Sequence, residues 1–66
     1  MNSLANMVSK SLGVSAYEAD TIIEEQARIG LDMMTNGNLT IEDVDDLMMD
    51  MGVEPDLMDE FLLRMV

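Results

Sequence analysis

The chain has no His and no Cys, so the usual general base, the thiolate nucleophile and the soft metal ligands are all missing. Its serines, Ser3, Ser9, Ser11 and Ser15, have no partner base to take up their protons. Carboxylates are plentiful, but they recur at the spacing of helix surfaces. A carboxyl acting as a general acid needs an apolar, water-excluding pocket, and 66 residues barely close a core. Neither an enzymatic activity nor a cofactor is expected. What remains is oxygen chemistry. The run from Asp32 to Asp43 is the part of the chain richest in mixed side-chain oxygens, and it centres on Gly37 between two helical segments.

That run resembles the twelve-residue calcium loop of EF-hands. Asp32 opens it, Asn36 and Asn38 follow at ligand positions, Gly37 stands at the sharp turn and Leu39 at the apolar position. Val44, Leu47, Met48 and Met51 then continue at the spacing of the following helix. The resemblance implies a Ca²⁺- or Mg²⁺-binding regulatory domain. The chain departs from the pattern at two ligands, with Met34 where Asp or Asn coordinates and Asp43 where a bidentate Glu belongs. The favoured expectation is therefore no metal, the alternative being a site of Asp32, Asn36, Asn38, Thr40 and Asp43. Further along, Leu47, Met51-Gly52-Val53, Met58 and Phe61 resemble the turn and core of a helix-turn-helix, which implies a reading helix in a DNA groove. The residues such a helix would show to bases are Glu54, Asp56, Asp59 and Glu60, and none is basic. The same stretch resembles the first helix and Met-Gly loop of ubiquitin-associated domains, whose third helix has no counterpart here.

Charge is the strongest compositional signal: 14 Asp and Glu stand against 3 Lys and Arg, for a net charge of −11. Every acid lies after Tyr17, so residues 1–17 carry a net charge of +1 and residues 18–66 a net charge of −12. Nine acids fall between Glu42 and Glu60 with no Lys or Arg among them. Such a field repels phosphate, which argues against direct nucleic-acid binding, and it attracts a partner protein with a basic surface. The residues expected to dock on that partner are Asp45, Asp46, Met49, Asp50, Asp56, Asp59 and Glu60. Met49 is included because the chain carries 9 Met, and an adaptable thioether among carboxylates suits a mixed binding surface.

The elements that must position these residues are helices. Apolar residues recur at intervals of three and four, punctuated by start and stop signals, which predicts an all-α fold, a small bundle of three to four helices near 3–12, 15–35, 40–51 and 55–65. Leu4, Met7, Val8 and Leu12 line the first, which ends at Gly13. Ser15 with Glu18 forms the signature of a capping box, and the long second helix shows a broad stripe through Ala19, Ile22, Ile23, Gln26, Ala27, Ile29, Gly30, Met33 and Met34. On its polar side Arg28 is one turn from both Glu24 and Asp32, at ion-pair spacing. Thr40 is expected to cap the third helix, whose apolar face is Ile41, Val44, Leu47, Met48 and Met51, and Pro55 to begin the fourth, striped by Leu57, Met58, Phe61, Leu62 and Met65. The expected core is Leu4, Val8, Ile22, Ile23, Ala27, Val44, Leu47, Phe61 and Leu62. A chain of this length forms one domain with a thin core, and it lacks the disulfides or zinc that usually brace small folds. Self-association into a homodimer, with Leu63, Met65 or Val66 in the contact, is expected to shield the apolar surplus. Near the start only Lys10 is basic and no apolar run suits a signal peptide or membrane span, so a soluble, intracellular, cytoplasmic protein is expected.

Overall fold

The computed structural model describes residues 3–65, and within them there are four α-helices and no strand: α1 (Ser3–Leu12), α2 (Ala16–Thr35), α3 (Ile41–Asp50) and α4 (Met58–Met65). The fold is thus the expected small all-α bundle. A 3₁₀ turn over Pro55–Leu57 leads into α4, so the region expected as one helix from residue 55 opens with a tighter turn. Pro55 suits this position because its missing N–H would be unpaired there anyway.

The two central helices, α2 and α3, begin and end for local reasons. The Ser15 hydroxyl accepts from the Glu18 N–H at 3.1 Å, which starts α2, but the reciprocal bond from the Ser15 N–H to the Glu18 carboxylate is not made. At α3 both halves of the box are present: the Asp43 N–H donates to Thr40 Oγ1 at 3.2 Å and the Thr40 N–H donates to Asp43 Oδ2 at 3.1 Å. The C-termini of α2 and α3 close alike. Gly37 and Gly52 take positive φ values of 74° and 72°, a conformation any Cβ would strain. This lets the Asn38 N–H reach the Met33 carbonyl and the Val53 N–H reach the Met48 carbonyl, at 2.9 and 3.2 Å. These are Schellman closures, which satisfy carbonyls that a helix end leaves free.

The 20-residue α2 is the spine, against which α1, α3 and α4 all pack. Seven of the nine expected core residues are buried: Leu4, Val8, Ile23, Ala27, Val44, Leu47 and Phe61. Ile22 is only partly buried, packed on the core's edge, and Leu62 is 37% exposed. The centre of α4 falls on Phe61 and Met65, which turns Leu62 aside. In place of these two, the core takes Ala19, Met48, Met51, Val53 and Met65. Gly30 explains the reach of Met65, since a Cβ built there would stand 3.0 Å from Met65 Cε and 3.3 Å from Leu47 Cδ1. Fully burying a large apolar side chain contributes roughly 1.5–3 kcal/mol, so in a domain this small each of these contacts is a large share of the total stability.

Three hydrogen bonds between a side chain and a distant backbone group tie the bundle together. The Leu4 N–H donates to Glu60 Oε2 at 3.1 Å, Ser11 Oγ donates to the Gly52 carbonyl at 2.6 Å, and Gln26 Nε2 donates to the Leu47 carbonyl at 3.1 Å. Arg64 pairs with Asp20, the one ion pair among the described residues. Arg28 makes no ion pair with Glu24 or Asp32, although the helical spacing allows both.

Candidate functional site: the acidic outer face of the third helix

The run from Asp32 to Asp43 is built as a helix stop followed by a helix start, and two of its side-chain oxygens, Thr40 Oγ1 and Asp43 Oδ2, are taken up by the cap of α3. Asn36 is the C-cap of α2, its N–H bonded to the Asp32 carbonyl. Asn38 supplies the Schellman N–H, and Thr40 and Asp43 each serve the other's backbone. Backbone N–H groups close α2 and the Thr40 and Asp43 side chains open α3, on either side of an open turn. Among the described residues no group of three or more Asp or Glu is gathered as a metal would require.

The residues expected to dock on a partner divide into two sets. On α3, Asp46 and Asp50 are exposed and Asp45 is half-buried. Met49 is 64% exposed, while the adjacent Met48 is fully buried. Helical geometry accounts for the contrast, because consecutive residues are turned by about 100°, so the core takes one thioether and solvent the other. Asp56 and Asp59, in the 3₁₀ turn and the first turn of α4, are exposed as well. Glu60 is different: half-buried, it accepts the Leu4 N–H. Its carboxylate serves the N-terminus of α1, where a negative charge also suits the helix dipole, and it drops out of the docking surface.

The expected oligomer contact needs the same correction. Leu63 is 71% exposed. Met65 is a core residue, 4% exposed and seated against Gly30, so it offers no surface to a second chain. Val66 lies outside the described residues.

Two features escape a reading of the sequence. Ile41, expected on the buried face of α3, is 71% exposed. As the first residue after the Thr40 cap it extends past the end of the packed interface, and it lies in the same i, i+4, i+8 row as Asp45 and Met49. The helical wheel already contains that row; what it lacks is the position of α2 and α4, which decides which row is covered. On the same row Asp45 Oδ1 is buried without a hydrogen-bond partner. The outer face of α3 therefore combines two large exposed apolar side chains with the exposed acids Glu42, Asp46 and Asp50.

On the opposite side, a groove of about 330 Å³ between α2 and α4 is lined by Glu24, Ala27, Arg28, Leu31, Arg64 and Met65. It holds two of the chain's three cations. Glu24 in its wall and Asp20, paired with Arg64, cancel them, which leaves no net field to draw an anion.

No helix of the described residues is long and apolar enough to cross a membrane. Compared with protein-family models, curated proteins and solved structures, the chain matches none of them.

Proposed function

We propose that this chain is a small, non-enzymatic interaction module that docks its acidic α3–α4 hairpin on a protein partner with a basic surface, such as a nucleic-acid-binding protein, and acts as its inhibitor or regulator. The observation that carries this reading is an uncompensated field. Glu42, Asp46, Asp50, Glu54, Asp56 and Asp59 are all exposed, and the one ion pair among the described residues joins Arg64 and Asp20 instead. Solubility alone calls for a surface in which both signs are interspersed. A surface of one sign steers a partner of the opposite sign, chiefly by raising the rate of association.

The test is capture of partners at low and high salt by the wild type and by two variants, Asp45→Asn/Asp46→Asn and Asp56→Asn/Asp59→Asn. A basic partner, lost at high salt, weakened by either variant and competed off by its own DNA or RNA, is the expected result. Capture of an acidic partner, or binding indifferent to salt, overturns the reading. A homodimer is the second reading, favoured by Leu63, which is 71% exposed on α4. Sedimentation at millimolar concentration distinguishes it, since repulsion between two chains of net charge −11 must be screened by salt before they associate.

A further inference from the structure

We infer that the outer face of α3 is a helix-docking ridge, and that its occupant is a basic amphipathic helix of a partner protein. This rests on the reading of the acidic hairpin as a docking surface and narrows it to one helix and one kind of partner.

The geometry makes the argument. Ile41, Asp45 and Met49 are separated by four residues each, so they form one i±4n ridge along the helix, the kind of row that packs into the grooves of another helix. At 1.5 Å per residue the two apolar ends of the ridge are about 12 Å apart along the axis. That is two turns, the interval at which an apposed helix presents its own apolar i and i+7 anchors. Ile41 and Met49 are 71% and 64% exposed, more open than most apolar residues of this chain, and nothing in the bundle covers them. Their neighbours define the flanks of the occupant. Glu42, Asp46 and Asp50 run along one side of the ridge, exposed and without a cation. Between the anchors stands the half-buried Asp45, whose short side chain leaves the two apolar ends of the ridge standing clear. A helix with a Leu or Met stripe bordered by Lys and Arg matches both features: the stripe covers Ile41 and Met49, and the bordering cations reach the flanking carboxylates. A flat basic surface, by contrast, neutralises the acids but leaves the ridge uncovered.

Two synthetic peptides of identical Leu and Lys composition decide the matter. In one, every Leu falls on a single helical stripe; in the other the same residues are permuted so that no stripe forms. The striped peptide is expected to bind at least about tenfold more tightly, a difference of about 1.4 kcal/mol, with NMR shifts centred on Ile41, Asp45 and Met49. The Ile41→Ser/Met49→Gln variant, which changes only exposed side chains, is expected to abolish the preference while retaining its circular dichroism and melting temperature. Equal, salt-sensitive binding of both peptides overturns the ridge and leaves the acidic docking surface standing. Preference for the striped peptide that is lost in Leu63→Gln rather than in the α3 variant moves the contact to α4 and also overturns the ridge. Absence of binding by either peptide overturns the ridge and the docking surface together.

Discussion

The turns after α2 and α3 are built alike and used differently. Each has a glycine at positive φ and a Schellman bond back across the last helical turn. Around Gly37 there is open space: a Cβ added there meets nothing within 4 Å. Around Gly52 there is none, because the same Cβ would stand 2.1 Å from Ser11 Oγ, whose hydroxyl donates to the Gly52 carbonyl. The turn at Gly37 has the richer motif, a row of oxygen donors, while the turn at Gly52 has the plain sequence of a Met-Gly stop. Yet it is at Gly52 that two distant parts of the chain meet. A motif reports what a segment can do by itself, whereas its importance to the fold depends on what arrives from elsewhere.

The largest effect is expected from Gly52→Ala. It combines the left-handed penalty of about 1–2 kcal/mol with loss of the Ser11 hydrogen bond, worth about 0.5–1.5 kcal/mol. Urea unfolding is expected to show a total loss of roughly 1.5–3.5 kcal/mol. In a Ser11→Ala background the cost of Gly52→Ala should fall to the backbone penalty alone, which isolates the contact by a double-mutant cycle. Gly37→Ala comes next, at about 1–2 kcal/mol, and should be indifferent to Ser11. Equal costs at the two glycines would dissolve the contrast between the turns. The smallest effect is expected at the apparent ligand: Asp32→Ala should change stability by less than about 0.5 kcal/mol. Millimolar Ca²⁺ should leave the Gly37 amide resonance in place beyond a diffuse screening effect. A saturable shift at Gly37 that disappears in Asp32→Ala would return that turn to the status of a cation site.

Where the sequence speaks of neighbours within about four residues, it is read well. The presence of four helices, the Ser15 and Thr40 caps and the glycine stops follow from local backbone chemistry, whereas α4 starts at Met58 rather than at residue 55. Core membership is legible in part. Choosing Leu and Ile over Met favours Leu62 above Met48, Met51 and Met65, but unbranched thioethers fill the irregular gaps of a thin core, and Gly30 leaves such a gap for Met65. The docking surface is legible as charge and less so as shape. Glu60 belongs to the acidic run by composition, and only the arrival of Leu4, 56 residues away, makes it a helix cap. Ile41 fits the buried stripe by spacing, and only the extent of the neighbouring helices leaves it outside. Likewise Arg28 has two acids at ideal spacing and pairs with neither, while Arg64 finds Asp20 across 44 residues. Exposed pairs at i, i+4 are worth only about 0.3–0.5 kcal/mol, too little to fix a long side chain.

The bonds at the two ends of α1 also govern when the protein can assemble. Leu4 is tied to Glu60 and Ser11 to Gly52, across 56 and 41 residues. The first of these helices to leave the ribosome therefore meets α2 at once but waits longest for the last of its partners. Closing such long loops costs entropy that is recovered only when the last contacts form, and contacts of high sequence separation slow folding. The contacts of α1 are accordingly complete only once the whole bundle is made, and a nascent chain halted before Glu60 would have α2 to pack its first helix on but no acceptor for the Leu4 N–H.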